Sequence, residues 1–154
     1  LLVYLQGKPY LNEQGTGYNN FFGSAKQAYM ECVFNPEPNA TKILQTISHQ
    51  GVGKYEVVIE PDPSEEYPYG QYTKITKGRF VYLENRQSSD VPMNLKQKTG
   101  TISSLLYANG QPMRDRYATI KLTNNDTTEV RLDLLSINYE YSGIKKKKHC
   151  FCVL

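Results

Sequence analysis

The stretch TEVRLDLLSINYEY, residues 128–141, contains the longest alternation of apolar and polar side chains in the chain. One phase holds Val130, Leu132 and Leu134, and the other holds Leu135, Ile137, Tyr139 and Tyr141. Successive side chains of a strand point to opposite faces, so a two-residue period predicts a β-strand with one buried face. The change of phase at Leu134 and Leu135 predicts a β-bulge, or a strand that leaves one sheet for another.

Three other runs repeat this alternation. They are AKQAYMECVF at 25–34, KYEVVIE at 54–60 and GRFVYLE at 78–84. In the first run, Met30, Cys32 and Phe34 form an apolar face, while Tyr29 and Glu31 lie in the opposite phase. Each run has the length and the β-branched or aromatic content of a half-buried strand.

Clusters of Gly, Pro, Asn and Asp separate the runs. They occur in FNPEPN at 34–39, HQGVG at 49–53, EPDPSEEYPYG at 60–70, ANGQP at 108–112 and TNNDTT at 123–128. Such residues favour turns, and many short strands between turns are typical of antiparallel sheets. The sequence therefore predicts an all-β fold, either an antiparallel β-sandwich or a partly open barrel.

Helix is expected in at most one or two short segments. SSLLYAN at 103–109 has the clearest helical period. NATKILQTIS at 39–48 offers Asn39 or Thr41 as an N-cap, but its β-branched content favours a strand equally.

Charge and length limit the function classes. The 154 residues suffice for one domain with its own core. The net charge of +3 depends on four consecutive lysines at 145–148: without them, the 18 basic residues become 14 against 15 acidic ones, a body charge of −1. A protein that binds nucleic acid through many phosphates needs a basic face, so specific nucleic-acid binding is not expected.

The C-terminal segment KKKKHCFCVL, residues 145–154, has two features of a lipidation or zinc-binding site, namely basic residues and closely spaced cysteines. Prenylation requires a cysteine four residues from the end, where Phe151 stands. His149, Cys150 and Cys152 would need a fourth zinc ligand and a wider cysteine spacing. We predict a single β-domain at 1–143 and a basic tail at 144–154, either solvated or packed against another subunit.

The first residues and the cysteines of the chain indicate where the protein is made. The first residues, LLVYLQ, read as the middle of a strand, and contain neither a signal peptide nor a membrane span. Because the chain begins within an apparent strand, we expect a piece of a longer polypeptide, and deliberate trimming would explain this start equally well. The three cysteines, an odd number at irregular spacing, indicate synthesis in a reducing cytoplasm.

The segment PMRDRYATIKL, residues 112–122, carries the strongest candidate polar site. Arg114 and Arg116 flank Asp115, and paired arginines can hold a carboxylate or phosphate through bidentate contacts. We favour the structural interpretation, in which Asp115 lies in a turn and the arginines are exposed or bridge to acidic residues of a neighbouring strand or subunit.

Three other segments contain residue types that occur in binding or catalytic sites. HQGVGK at 49–54 resembles the end of a phosphate-binding loop but leads into a strand, so a glycine hairpin turn is favoured. Four acidic residues, Glu60, Asp62, Glu65 and Glu66, have no established calcium-loop spacing. Ser48 and His49 are adjacent, and adjacent side chains of a strand face opposite ways. No catalytic, cofactor-binding or metal-binding residue is predicted.

Several stretches together resemble the C-terminal β-domain of a large tail protein of crAss-like podoviruses, bacteriophages of gut Bacteroidales, known as the stabilisation or muzzle protein. The matching stretches are GKPYLNEQGTGYNNFFG (7–23), VFNPEPNATKI (33–43), GQYTKITKGRF (70–80), MRDRYATIKL (113–122) and EVRLDLLSINYEYS (129–142). They resemble, in order, that family's Tyr- and Asn-rich hairpin ending in a Phe-Gly turn, its Asn-Pro strand exit, its K-x-x-x-G-R-F-like strand, and its M-R-G-R-Y-like strand leading into a V-R-L…Y hairpin.

The resemblance implies a non-enzymatic structural component of the virion, made in the bacterial host cytoplasm and located near the distal end of a short tail. It implies a homo-oligomeric ring in contact with other virion tail proteins, without a cofactor. In that setting Arg114, Asp115, Arg116 and Arg131 become candidate interface residues.

Two other functions are weighed. The first is a β-sandwich module that binds a carbohydrate or a host-surface ligand through exposed tyrosines. Its candidates are Tyr67, Tyr69 and Tyr72, around the proline-rich loop. The second is a hydrolase, which would require a deep pocket with clustered acidic residues.

Overall fold

The computed structural model contains 14 strands among the residues that it describes. It describes residues 2–5, 8–11, 19–21, 24–63, 65, 67–96, 110–142 and 144–153, and only the backbone of 2–5, 8–11, 20–21 and 144–153. The strands are β1 (Leu2–Leu5), β2 (Lys8–Leu11), β3 (Asn20–Phe21), β4 (Ser24–Ala25), β5 (Ala28–Phe34), β6 (Lys42–Val52), β7 (Glu56–Glu60), β8 (Thr73–Ile75), β9 (Val81–Leu83), β10 (Arg86–Asp90), β11 (Arg114–Asp115), β12 (Ala118–Asn124), β13 (Arg131–Tyr141) and β14 (Ile144–Val153).

Two antiparallel sheets form the body of the molecule. The larger has the order β14-β13-β6-β10-β9, with the short β11 also paired to β6. The smaller has the order β5-β12-β7-β8. Two separate two-stranded ladders, β1-β2 and β3-β4, come from the N-terminal part. The prediction of an antiparallel β-sandwich is confirmed.

The core lies between the inner faces of the two sheets. Its members are Phe34, Leu44, Ile47, Tyr55, Val57, Ile59, Ile75, Phe80, Met113, Ala118, Ile120, Leu122, Leu135, Ile137 and Tyr139. Strand β12 shows how the sequence builds it: Ala118, Ile120 and Leu122 are fully buried, and Thr119 and Lys121 between them are half-buried on the outer face. Burying an aliphatic side chain of this kind contributes roughly 1.5–3 kcal/mol.

The phase change in residues 128–141 is a β-bulge, as predicted. In the pairing of β13 with β6, Leu132 faces Gly51 and Leu134 faces Gln50, so Asp133 is the extra residue. Gly51 has φ +135°, and a Cβ built there would lie 1.9 Å from the Arg131 carbonyl oxygen. Only glycine allows this approach of the two backbones.

The glycine segment after His49 differs from its prediction. Gly53 does not close a hairpin, because β6 and β7 on either side of it belong to different sheets. Gly53 has φ +88° and turns the chain from one layer of the sandwich to the other. The local residue pattern indicates a turn but cannot tell whether the strands on either side pair.

Of the two candidate helices, 39–48 is mostly strand, because Lys42–Ser48 belong to β6. The SSLLYAN segment at 103–109 lies outside the described residues. The described residues contain one 3₁₀ turn, Lys77–Arg79. In the GRFVYLE run, Phe80 is buried, but Tyr82 is exposed, as are its neighbours in the edge strand β9.

The larger sheet includes Ile144–Val153, which lie within the segment predicted to be a basic tail (144–154). Strand β14 pairs antiparallel with β13, and Cys152 lies opposite Leu135 in the register. The four consecutive lysines at 145–148 interrupt any alternation of apolar and polar residues, so the sequence pattern does not indicate this strand. The division of the chain into a domain and a tail, and its origin in a longer polypeptide, stay predictions.

Candidate functional site

The arginine segment lies where the two sheets meet. Arg114 and Asp115 form β11, in which Arg114 pairs with Ile43 and Asp115 with Lys42 at the start of β6. Arg116 follows in a bend that leads into β12 of the other sheet. Asp115, expected in a turn, belongs to β11 instead, and its side chain accepts a hydrogen bond of 2.6 Å from the Arg116 backbone N–H.

A buried glutamine holds β11 from the other side. The Gln71 side-chain amide donates to the Arg114 carbonyl oxygen at 2.5 Å, and its Oε1 accepts from the Arg114 backbone N–H at 3.1 Å. Two residues of paired antiparallel strands exchange an N–H···O=C bond in each direction, and here the Gln71 side-chain amide takes the place of one of the two backbones. Gln71 thus extends the β11 ladder toward the smaller sheet.

A buried lysine closes the same region. Lys42 is 1% exposed, and its ammonium donates to the backbone carbonyls of Glu37, Ala40 and Arg116. Loss of hydration lowers the pKa of Lys42, while the charges of Glu37 and Asp115 oppose that change. The lysine therefore ties the 36–41 turn to the bend at Arg116.

The side chains of the arginine segment stay within the chain's own contacts or in solvent. The Arg114 guanidinium lies 5.9 Å from the centre of the Tyr67 ring. Arg116 is exposed. Arg131 lies at the other end of β6 and forms an exposed bidentate pair with Asp133, at 2.8 and 3.2 Å. The structure therefore separates Arg131 from the other three candidates, and an interface role for all four stays a prediction.

The three candidate tyrosines occupy different environments. Tyr67 is half-buried, its hydroxyl donates to the Gln111 side chain, and burial raises its pKa. Tyr72 is half-buried, and its backbone N–H donates to Asn94 Oδ1 at 3.0 Å. Tyr69 is 54% exposed. A shared ligand surface for the three stays a prediction.

A cleft of about 290 Å³ lies on the outer face of the smaller sheet, and Tyr69 is the one of these tyrosines that lines it. The charged lining residues are Glu31, Glu60, Asp62, Lys96 and Lys121. Acidic and basic groups alternate there, so the cleft presents no field of one sign. No group of three metal-binding side chains occurs among the residues that the structure describes. Of the acidic loop, Glu66 lies outside those residues.

His49 is a core residue. It is 2% exposed, and its ring makes edge contacts with Tyr55 and Phe80 at centroid distances of 5.2 and 5.0 Å. Neither ring nitrogen has a hydrogen-bond partner within the described part of the chain. Burial lowers the pKa of His49 from 6.5 to about 4, so the ring is neutral at pH 7.

These placements leave the candidate residues without a catalytic arrangement. His49 and Ser48 face opposite sides of β6: Ser48 bonds the Ser136 hydroxyl at 2.6 Å, whereas His49 lies in the core. The side chains of His149, Cys150 and Cys152 lie outside the described part. Sequence reasoning missed Lys42 and Gln71, because one polar residue within an apolar pattern gives no periodic signal.

No helix in the described segments is long and apolar enough to cross a membrane. The fold and the site define a β-sandwich of the structural or binding class, in which buried polar side chains fasten strands to turns.

Comparison with protein families identifies the class more closely. The family model for the Crassvirus muzzle protein C-terminal domain matches residues 16–151, and the chain belongs to this family. It is therefore a structural domain of a bacteriophage virion, and the resemblance seen in the sequence is confirmed. Comparison with curated proteins gives no match.

Proposed function

We propose that this domain is a non-enzymatic part of the phage particle at the distal end of a short tail, where it forms a ring with other copies of itself and contacts other tail proteins. The observation that carries the proposal is membership of the muzzle family over residues 16–151.

The polar residues support a mechanical role. Lys42 and Gln71 direct their hydrogen bonds to backbone groups of Glu37, Ala40, Arg114 and Arg116. Such groups make the junction between sheets rigid, and they are not poised for proton transfer to a substrate. A rigid domain in a virion transmits load through its contacts with neighbours.

Labelling of intact particles tests the location. Antibodies raised against this domain are bound to purified virions and visualised by electron microscopy, with denatured virions probed in parallel. We expect label at the free end of the tail and a band from denatured virions. Label on the capsid, or no band, would contradict the proposal, and antibodies absorbed with the purified domain serve as the control.

A further inference from the structure

The β9–β10 hairpin exposes apolar side chains at the edge of the larger sheet. Val81, Tyr82 and Leu83 are 59%, 64% and 63% exposed, and they are consecutive residues of the edge strand. Glu84 and Asn85 form the tight turn, both with positive φ. Proteins usually protect an edge strand with charges, proline or a cover. Val81–Leu83 include neither a charged residue nor a proline. Among the described residues, no further strand pairs with the outer edge of β9.

The edge of the smaller sheet has a similar character at β5. Its outward residues Tyr29 and Val33 are 66% and 61% exposed. Its inward residues Met30 and Cys32 touch the core but stay half-buried, whereas Ile120 and Leu122, opposite them on β12, are fully buried. The core is thus incompletely covered along β5, and no described strand pairs with the outer edge of β5.

The two edges lie on opposite flanks of the sandwich. Strand β5 lies over β13, because the Phe34 and Tyr139 rings are 5.4 Å apart. Strand β8, at the other end of the smaller sheet, lies beside the segment that follows β10, because Thr73 donates to the Met93 carbonyl at 3.2 Å. The β5 edge is therefore on the β13–β14 flank, and the β9 edge is on the β10 flank.

We propose that the β9–β10 hairpin of one copy packs along the β5 edge of the next copy, so that identical chains join head to tail. The partner hairpin would extend the smaller sheet past β5 toward the layer above β14, and would cover Met30 and Cys32. Exposed Arg86 on the hairpin and Glu31 on β5 supply opposite charges. Contacts between two different surfaces of one chain form a ring when the rotation closes. The inference names the contact of the ring in the proposed function, and rests on it.

Two blocked variants test this contact by analytical ultracentrifugation of the whole chain. Val81→Lys/Leu83→Lys blocks the hairpin, and Tyr29→Lys/Val33→Lys blocks the β5 edge. Because all four residues are exposed, both variants should fold, which circular dichroism and thermal melting verify. We expect the unmodified chain to self-associate and each variant to be monomeric. An equal mixture of the two should form a dimer and stop there, since only one hairpin and one β5 edge remain intact.

Several results would overturn the inference. The first is an unmodified chain that stays monomeric up to about 100 μM, a concentration at which contacts of micromolar affinity are populated. The second is a blocked variant that assembles like the unmodified chain. The third is a mixture of the two variants that stays monomeric. Charge reversal sharpens the test: Glu31→Arg or Arg86→Glu alone should weaken association about tenfold, and the double variant should restore it. Failure to restore counts against the pairing of these edges. A monomeric chain that still labels the tail refutes only this contact, whereas label elsewhere refutes the proposed function.

Discussion

The Arg114 segment and the β9–β10 hairpin show opposite arrangements of polar and apolar groups. Around Arg114, polar side chains are buried, and Lys42 and Gln71 satisfy the backbone of the segment within the chain. On the hairpin, Val81, Tyr82 and Leu83 stand in solvent. Burial of unpaired polar groups destabilises a fold, and exposure of apolar groups leaves a favourable contact unmade.

This difference indicates whether the groups of each region make their contacts within one molecule or with another molecule. The Arg114 segment is complete inside one molecule, so changes there should alter the free energy of unfolding. The exposed side chains Val81, Tyr82 and Leu83 of β9 add little to the core, so changes to them should alter association and leave unfolding nearly unchanged. Lys42 and Gln71 thus fasten the backbone of the Arg114 segment from within the chain. The contact proposed above places partner binding at the apolar edge instead.

The largest effect is expected at Lys42. Lys42→Met keeps the length of the side chain but removes the ammonium that bonds the Glu37, Ala40 and Arg116 carbonyls, of which the Glu37 carbonyl retains the Ala40 N–H. We expect a loss of about 4 kcal/mol in the free energy of unfolding. Urea denaturation measures it, and Lys54→Met, at an exposed lysine, is the matched control. A loss of unfolding free energy no larger than that of Lys54→Met would show that the Lys42 hydrogen bonds do not stabilise the fold.

The second effect concerns pH and His49. Above pH 6.5 the imidazole is neutral in both the folded and the unfolded chain. As the pH falls from 6.5 to about 4, the unfolded chain takes up a proton that the folded core excludes, so stability is lost, by about 3 kcal/mol at pH 4.

His49→Phe retains an aromatic ring beside Tyr55 and Phe80 and should remove that part of the pH dependence. The measurement is urea denaturation of both proteins at pH 7 and pH 4. Because carboxylates titrate equally in the two proteins, the difference between their slopes isolates His49. Parallel pH profiles would contradict the expectation.

The third effect concerns Gln71. Gln71→Met keeps the volume but removes both bonds to the Arg114 backbone, so we expect a loss of about 2 kcal/mol. Hydrogen exchange of the Arg114 amide gives a local readout, since that N–H should lose protection before the amides of β12 do. Equal protection in both proteins would mean that the side-chain ladder contributes nothing.

The smallest effect on stability is expected at the hairpin. Leu83→Ser should change the unfolding free energy by less than about 0.5 kcal/mol. Arg131→Ala, a second variant at an exposed position, should leave the urea midpoint unchanged. Leu83→Ser should nevertheless weaken self-association in ultracentrifugation, and Arg131→Ala should not. A large loss of stability in Leu83→Ser would remove the contrast between the two regions.

The sequence predicts those strands that have one face in the core and the other face in solvent. Strands β5 and β7 follow from their alternation, and the bulge at Asp133 follows from the phase change in 128–141. The assignment of strands to sheets does not follow, because pairing joins residues far apart in the chain. That is why Gly53 reads as a hairpin turn although it connects two layers.

The candidate site was harder to predict. The sequence identifies Arg114 and Asp115 by their charge, but their environment depends on Lys42 and Gln71, which come from distant segments. Nothing in the local pattern distinguishes Lys42 from the lysines in solvent. His49 lies beside two glycines and reads as a turn residue, although β6 carries it into the core.

The position of β6 at the centre of the larger sheet has a consequence for biosynthesis. Its neighbours β10 and β13 both come later in the chain, and Ser48 and Ser136, in contact across the ladder, are separated by 88 positions. Long-range pairing of this kind slows folding to roughly milliseconds or seconds. Strand β10 (Arg86–Asp90) can pair with one edge of β6 once it is made, but the other edge stays bare until β13 (Arg131–Tyr141) follows. Newly made chains therefore need shielding from one another until β13 has been synthesised.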